Sequence, residues 1–168
     1  HKPDRRQRQM CIRDRFSTSY AKEVKVGIIL GFTGPIESLT PGMAAGAELA
    51  FKEASDSGKL LGGSTVSSIR ADSTCIDSAA AASAAEFLIS QGVTAIMGAD
   101  CSGVTGAVLS NVAVPNGVPM ISPSATSPAL TTAEDNGLFF RTAPSDARGG
   151  EVLADITSDR GISSVAIT

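Results

Sequence analysis

From Lys22 onward, short runs of β-branched and apolar residues alternate with longer stretches that have helical periodicity. The clearest strand pattern is Val24–Leu30, which is nearly all apolar, as a strand buried on both faces should be. Strands and helices that alternate at this pace indicate parallel strands joined by right-handed crossovers. The sequence therefore predicts an α/β fold built on a doubly wound parallel sheet.

Five strands and four helices are predicted, and the third helix is expected to run through about Ala113 and to be broken by Pro115–Gly117. The strands are Val24–Leu30, Ser64–Ala71, Val93–Met97, Val118–Ser122 and Leu138–Thr142, with the opening of a sixth strand at Ser164–Thr168. The helices begin at Thr40-Pro41 (N-cap and first residue), at Asp77 or Ser78, at Ser102 and at Asp146; the second has an inner face of Ala80, Ala84, Phe87 and Leu88. A chain that stops within an opening strand is expected to be truncated.

Charge divides the chain into a basic arm and an acidic body. Residues 1–15 carry six Lys/Arg and two Asp, while residues 16–168 carry eight Lys/Arg and fifteen Asp/Glu. A basic arm could bind nucleic acid, but this one lacks interleaved aromatic residues and the acidic body would repel phosphate. We therefore predict no nucleic-acid partner and interpret residues 1–15 as a disordered or non-native leader.

The segment that follows the arm has the pattern of an export signal. Ser19-Tyr20-Ala21 places small residues at positions −3 and −1 of a signal-peptidase cut after Ala21. The apolar region that normally precedes such a cut is missing, so residues 1–21 are interpreted as the arm followed by a signal-peptide stump. This pattern favours a periplasmic or extracellular location.

Catalytic and cofactor motifs are missing from the sequence. The single histidine is His1, and no HExxH, CxxC or clustered Cys/His spacing supports a metal site. The loop Gly31–Pro35 follows a strand but is not GxGxxG, no phosphate-binding GxxxxGK[ST] occurs, and no base is available to activate a serine. A receiver-type domain should show acidic residues here, and Gly31-Phe32-Thr33 has none. We predict that the chain is not an enzyme and holds no cofactor or metal.

Two cysteines fall at the same edge of the predicted sheet. Cys75 lies just past the second strand and Cys101 just past the third, whereas Cys11 lies in the basic arm. With the strand order 2-1-3, their loops flank the first strand, and a disulfide forms if they curl inward to a Cα separation of about 4.4–6.8 Å. The alternative is a pair of buried thiols. A disulfide would indicate an oxidising compartment.

Hydroxyl side chains are concentrated at this edge, where ligands of open α/β sheets bind. Ser102 is predicted as the N-cap of the third helix, and the next loop carries Ser122, Ser124, Thr126 and Ser127. A helix N-terminus favours a carboxylate, and hydroxyl groups can also accept hydrogen bonds from an ammonium group. The pattern suits a zwitterion, although capping and turn formation explain the same residues equally well.

A series of landmarks runs along the chain in a fixed order. The landmarks are Val26–Leu30 with Gly34-Pro35, Gly46-Ala47-Glu48, Asp72 to Cys75, Gly98 to Ser102, Pro119 to Thr126, and Phe140-Arg141-Thr142 with Asp146. In order and spacing they resemble the first half of the leucine/isoleucine/valine-type periplasmic binding proteins of ABC importers. The resemblance runs from Val24 to Thr168. It implies a bilobal type I fold with the strand order 2-1-3-4-5, in which residues 22–143 form the first lobe and 144–168 begin an incomplete second lobe.

The resemblance also implies roles for individual residues. Cys75 and Cys101 form a disulfide, Ser102 binds the ligand carboxylate, and Thr126 contributes its hydroxyl and backbone N–H. Ser124 offers its backbone carbonyl to the ligand ammonium. Leu39 falls near a position where the branched-chain binders carry an aromatic residue beside the ligand, and this departure bears on specificity.

The function implied is extracytoplasmic binding of a small amino acid, or a related zwitterion or amide, for ABC-type import. The expected partners are that ligand and a membrane permease, and the expected state is a monomer. The alternative is the extracellular sensing domain of a receptor with the same fold, which predicts a transmembrane segment downstream. Because the contacts of the second lobe are missing, this chain is expected to bind ligand weakly.

Overall fold

The computed structural model describes residues 21–166 and contains one parallel sheet. Its strands are β1 (Glu23–Leu30), β2 (Thr65–Asp72), β3 (Ala95–Gly98), β4 (Met120–Ser122) and β5 (Phe139–Arg141). The order across the sheet is β2-β1-β3-β4-β5, and every neighbouring pair is parallel. The predicted fold class and strand order are confirmed.

Helical segments connect the strands. They are α1 (Thr40–Asp56), α2 (Ser78–Ser90), α3 (Ser102–Val108), a π-helical turn (Leu109–Ala113), α4 (Val114–Asn116) and α5 (Asp146–Asp159), with 3₁₀ turns at Leu60–Gly62 and Pro128–Thr131. Asp77 caps α2 by accepting from the backbone N–H groups of Ala79 and Ala80. Within residues 21–166, no helix is long and apolar enough to cross a bilayer.

The core lies on both faces of β1, because alternate residues of a strand point to opposite faces. Ile28 and Leu30 pack with Ala44 of α1 on one face. Ile29 packs with the buried residues of α2, α3 and the π-helical turn on the other. All three β1 side chains are fully buried, as the apolar run predicted.

The predicted inner face of α2 is confirmed at Leu88 and wrong at Phe87, while Ala80 and Ala84 are only partly buried. The buried residues are Ala81, Ala85 and Leu88, whereas Phe87 is 49% exposed. Gly27 of β1 explains the close contact with Leu88, because a Cβ at Gly27 would lie 2.7 Å from Leu88 Cδ1. In a helix so rich in alanine, the apolar pattern does not distinguish one face from the next.

Thr40 is not the N-cap of α1, which is a correction to the sequence analysis. The N-cap is Leu39, which makes no side-chain capping bond. Thr40 is the first helical residue and is buried, and its hydroxyl donates to the Gly31 carbonyl oxygen at 3.1 Å. A buried hydroxyl needs a partner, and here the partner is the loop that follows β1.

The third helical segment runs three residues beyond its predicted end near Ala113, and the predicted break within Pro115–Gly117 falls at Gly117. The chain continues as α4 to Asn116 and stops at Gly117, whose φ is +64°. A proline inside a helix removes one hydrogen bond and its ring crowds the carbonyl four residues back. The π-helical turn Leu109–Ala113 lies directly before this proline, and such a turn widens the backbone where the ring must fit.

The predicted sixth strand is also not observed. Residues 164–166 are exposed and have no regular structure, and the last two residues of the prediction lie outside the described range. A strand needs a neighbour for its backbone groups, and none of β1–β5 pairs with this segment. The basic arm and most of the signal-peptide stump, residues 1–20, likewise lie outside the described residues.

Candidate ligand-binding site

Five loops meet at the edge of the sheet where the strands have their carboxyl ends. They are residues 31–39 after β1, 73–77 after β2, 99–101 after β3, 123–127 after β4 and 142–145 after β5. In open α/β sheets, ligands bind beside this edge. All the ligand-binding residues named from the sequence lie on these loops or at the start of α3.

Asp100 joins three of the loops and was not recognised as a site residue from the sequence. It is 2% exposed. Its Oδ2 accepts from the Gly31 N–H at 2.7 Å, and its Oδ1 accepts from Ser73 Oγ at 3.2 Å and from the Cys101 N–H at 2.9 Å. A buried carboxylate needs such donors, so this side chain fixes the loops after β1, β2 and β3 together.

A disulfide links the loops after β2 and β3. Cys75 and Cys101 are joined with a Cα–Cα distance of 5.2 Å, within the range required for a bridge. The prediction of this disulfide is confirmed, and the alternative of two buried thiols is wrong. The disulfide and the hydrogen bond from Ser73 to Asp100 therefore both link the loops after β2 and β3.

Asp72, the last residue of β2, also links the loops after β1 and β2. Its Oδ2 accepts from the Thr33 hydroxyl at 2.5 Å, and its Oδ1 accepts from the Thr74 N–H at 2.8 Å. Burial by itself raises the pKa of Asp72, but the Thr33 hydroxyl and the backbone N–H groups of Thr74, Thr33 and Phe32 more than offset it. The pKa of Asp72 is therefore below its ordinary value.

This lowered pKa predicts a pH-dependent contribution to stability. Because the pKa in the folded state lies below that of the unfolded chain, the contribution is present above the unfolded value of about 3.9 and is lost as the pH falls through the folded value. Thr33→Val removes one donor and is expected to raise the pKa of Asp72. A carboxyl-carbon NMR titration measures both proteins, and identical Asp72 curves would show that Thr33 has no such effect.

Ser102 connects the start of α3 to the loop after β4. It is the first residue of α3, whose N-cap is Cys101, so the predicted N-cap role of Ser102 is wrong. Ser102 Oγ accepts from the backbone N–H groups of Thr126 at 3.2 Å and Ser127 at 3.1 Å. The hydroxyl faces the neighbouring loop because that loop presents two N–H groups to it.

Thr126 connects the same loop to the start of α5. Its hydroxyl donates to Asp146 Oδ2 at 2.8 Å, and its carbonyl accepts from the Asp146 N–H at 2.9 Å. Asp146 was read from the sequence only as a landmark and a helix start. The backbone N–H of Thr126 donates to Ser102 Oγ, so this residue is bonded to both α3 and α5.

Ser124 is held by its side chain and presents its backbone. Its hydroxyl donates to the Asp100 carbonyl oxygen at 3.0 Å. Within residues 21–166, no donor is bonded to the Ser124 carbonyl oxygen. Arg141 Nη1 donates to the Ser127 carbonyl at 2.8 Å, so this guanidinium supports the loop. The loop therefore carries an open carbonyl acceptor at Ser124.

Leu39 lies at the edge but outside this hydrogen-bonded group. It is 58% exposed at the end of the loop after β1. Ser102, Ser124 and Thr126 are thus brought together by direct bonds between their loops, whereas Leu39 shares no hydrogen bond with them in the described chain. It contributes an apolar side chain to the same edge.

An apolar cavity lies on the face of the sheet covered by α1 and includes one residue from each of the loops after β4 and β5. It measures about 330 Å³ and is lined by Ala47, Ala50, Phe51, Met97, Ile121, Pro123 and Thr142. None of the four predicted ligand-binding residues lines it. Within residues 21–166, no cluster of His, Cys, Asp and Glu could hold a metal ion.

Comparison with known proteins gives consistent relatives. The chain is 33% identical over 141 residues to Leu/Ile/Val-binding protein homolog 3 of Brucella melitensis, covering 83% of this chain and 36% of the relative. It is 29% identical over 145 residues to the Leu/Ile/Val-binding protein of Escherichia coli, covering 86% and 38%. The chain thus spans little more than a third of the length of these curated relatives.

Solved structures show the same similarity. The branched-chain amino acid substrate-binding protein LivJ of Streptococcus pneumoniae, in complex with isoleucine, superposes with a TM-score of 0.65 at 32% identity, covering 74% of this chain and 34% of that one. A solute-binding protein from Rhodopseudomonas palustris, in complex with benzoate, gives a TM-score of 0.71 at 28% identity, covering 83% and 38%.

The family model for periplasmic binding proteins matches residues 23–168, nearly the whole of the described chain. Together with the strand order and the disulfide, this match confirms the resemblance found in the sequence. The chain belongs to the periplasmic binding protein family.

Proposed function

We propose that this chain supplies the first lobe of an exported protein that binds a small amino acid or related zwitterion for ABC-type import. The observation that carries the proposal is the hydrogen bonding of Ser102 Oγ to the backbone N–H groups of Thr126 and Ser127. These bonds place the start of α3 beside the loop after β4. We expect the hydroxyl and carbonyl groups of these two segments, which differ in hydrogen-bonding character, to face one ligand.

The groups at this edge suit the two ends of a zwitterion. The Ser102 hydroxyl and the start of α3 offer donors to a carboxylate. The Ser124 carbonyl and the Thr126 hydroxyl oxygen offer acceptors to an ammonium group. Leu39, largely exposed at the same edge, offers apolar contact to a ligand side chain.

The family and its relatives support transport. The named relatives are binding proteins for leucine, isoleucine and valine, so a membrane permease is the partner that we propose, with a periplasmic or extracellular location and a monomeric state. Binding without catalysis is proposed for the same reason. These comparisons favour the transport role over the receptor alternative.

A second ligand class deserves a test because of one solved structure. The similar protein from Rhodopseudomonas palustris was solved with benzoate, a carboxylate without an ammonium group. Such a ligand would use the donors near Ser102 and leave the acceptors at Ser124 and Thr126 without a partner. Buried polar groups left unpaired cost free energy, so we propose that an amino acid is preferred.

The proposal is tested by titrating the ¹⁵N-labelled 168-residue chain with leucine, isoleucine, alanine and benzoate. We expect amide shifts at Ser102, Thr126 and Ser127 and a dissociation constant of about 1 mM or weaker, which corresponds to only about −4 kcal/mol. Weak binding is expected because the residues that relatives add beyond the matched region are missing.

Ser102→Ala is expected to remove most of the leucine-dependent shifts. Ser110→Ala is the matched control, since Ser110 is exposed and donates only to the Gly106 carbonyl within its own helical segment. Far-UV circular dichroism checks that both variants fold. Micromolar binding by this chain would overturn the interpretation that it carries only part of the ligand-binding site. If no amino acid shifts these amides, the proposed function is wrong.

A further inference from the structure

Two asparagines of the chain are each followed by glycine. They are Asn116-Gly117 at the end of α4 and Asn136-Gly137 in the turn before β5, whereas the third asparagine, Asn111, is followed by valine. Because glycine has no Cβ, its backbone nitrogen can approach the preceding side chain closely. Both of these asparagines are exposed, so exposure alone does not distinguish them.

An asparagine followed by glycine can be modified without an enzyme. The glycine nitrogen loses its proton and attacks Cγ of the asparagine, so that a new carbon–nitrogen bond forms and the Cγ–Nδ2 bond breaks to release ammonia. Water then opens the resulting five-membered ring at one of its two carbonyls and leaves aspartate or isoaspartate. The reaction consumes one water, needs no oxidant or reductant, and replaces a neutral side chain by a negative charge.

The structure holds Asn116 in a conformation that prevents this attack. Its Nδ2 donates to the Val112 carbonyl oxygen at 2.8 Å. The Gly117 N–H donates to the Val114 carbonyl oxygen at 3.1 Å, and the next residue, Val118, is buried. The attack would have to break both hydrogen bonds and disturb a core residue, so we expect it to require a costly local opening.

Asn136 is held less firmly. Its side-chain amide makes no hydrogen bond to the part of the chain that the structure describes, and a Cβ at Gly137 would meet nothing within 4 Å. The turn is closed by the Leu138 N–H, which donates to the Asp135 carbonyl oxygen at 2.9 Å. Asn136 has φ at +52°, a conformation that costs asparagine more than glycine. Opening of this exposed turn should therefore cost little.

The same turn also supplies an acceptor for the proton that must leave. The Gly137 N–H donates to Asp135 Oδ1 at 2.8 Å, a distance within the reach of a general base. The Gly117 N–H instead donates to a backbone carbonyl, which does not take up a proton. The two dipeptides thus differ both in how firmly they are held and in the group that faces the attacking nitrogen.

We infer that Asn136 is a site of self-modification, at which the folded chain forms aspartate and isoaspartate with Asp135 as the proton acceptor, while Asn116 stays intact. The inference is independent of the proposed function, because this turn lies at the amino end of β5, away from the loops at the carboxyl ends of the strands. Isoaspartate adds one methylene group to the main chain close to Leu138, whose carbonyl oxygen accepts from the Met120 N–H at 2.8 Å. We therefore expect faster hydrogen exchange at Met120 after conversion.

The test incubates the folded 168-residue chain at mildly alkaline pH and follows both dipeptides by mass spectrometry after digestion at acidic pH. Conversion raises the mass of a peptide by about 1 Da. In the folded chain, we expect Asn136 to convert at least about tenfold faster than Asn116, because only Asn116 is protected by its hydrogen bonds. In urea that unfolds the chain, this protection is lost, and the two rates should agree within about threefold.

Two variants complete the test. Asp135→Ala removes the proton acceptor and should slow the conversion of Asn136 several-fold in the folded chain, without changing Asn116. Asn136→Asp is the matched control, and its peptide should gain no mass. Far-UV circular dichroism checks that both variants fold.

Equal rates at Asn136 and Asn116 in the folded chain, or the same tenfold ratio in urea, would overturn the inference that the structure selects Asn136. An unchanged or faster rate in Asp135→Ala would show that Asp135 is not the proton acceptor. A mass gain in the control peptide of Asn136→Asp would assign the reaction to another residue.

Discussion

Gly98→Ala is expected to lower the free energy of unfolding by about 4 kcal/mol, the largest effect of any substitution considered. Gly98 ends β3 with φ at +128°, a conformation that alanine adopts only with strain. A Cβ at this position would lie 1.9 Å from the Ile29 carbonyl oxygen. The obstacle is backbone of the central strand β1, which is paired on both sides and cannot move aside.

Urea unfolding followed by far-UV circular dichroism measures this effect, since the chain has no tryptophan and one tyrosine. Gly46→Ala is the matched control. Gly46 lies in α1, and a Cβ there would meet nothing within 4 Å, so this variant should be about 1 kcal/mol more stable. An unfolding midpoint for Gly98→Ala equal to that of the unmodified chain would disprove the expected clash.

Removal of the disulfide by replacing both Cys75 and Cys101 with alanine is expected to lower stability by about 3.5 kcal/mol. The bridge closes a loop between residues separated by 26 positions. In the loop-entropy model, the size of this loop sets the cost. Cys75 also has φ at +70° and Thr74 at +57°, conformations that non-glycine residues rarely adopt. Without the bridge, the loop after β2 is therefore expected to leave this conformation.

The measurement compares urea unfolding of the double variant with that of a chain that keeps Cys75 and Cys101. Both proteins carry Cys11→Ser so that thiol exchange does not interfere. Thiol titration of the unmodified chain under denaturing conditions gives an independent check. One free thiol is expected without reductant and three with it, because Cys11 is the remaining cysteine. Three free thiols without reductant would be incompatible with the bridge.

The parallel sheet could be predicted because it follows from periodic features of the sequence, whereas the order of the outer strands and the disulfide were implied by a family resemblance. β1 is buried on both faces, so its run of apolar residues stands out, and the alternation with helices implies parallel pairing. The resemblance to a known family then supplied the order of the outer strands and the pairing of Cys75 with Cys101. The structure and the comparisons confirm these points.

The side-chain partners at the site could not be predicted in the same way. An aspartate in a loop is ordinarily exposed, and nothing in the sequence marks Asp100 as the buried acceptor of three donors. Serine is a common residue type at helix N-caps, yet the Ser102 side chain bonds to a loop 24 residues away. Long-range hydrogen bonds depend on how loops meet in space, which local patterns do not encode.

Asp100 holds the loops after β1, β2 and β3 in place. Residues of these loops that make no such bonds can therefore change without moving the loops. Leu39 and Ile76 project from the fastened loops and are 58% and 76% exposed. Substitutions there should alter the surface offered to a guest molecule at little cost in folding. Natural or directed evolution could therefore change the proposed ligand by varying such exposed side chains, while the buried Asp100 carboxylate keeps the loops in place.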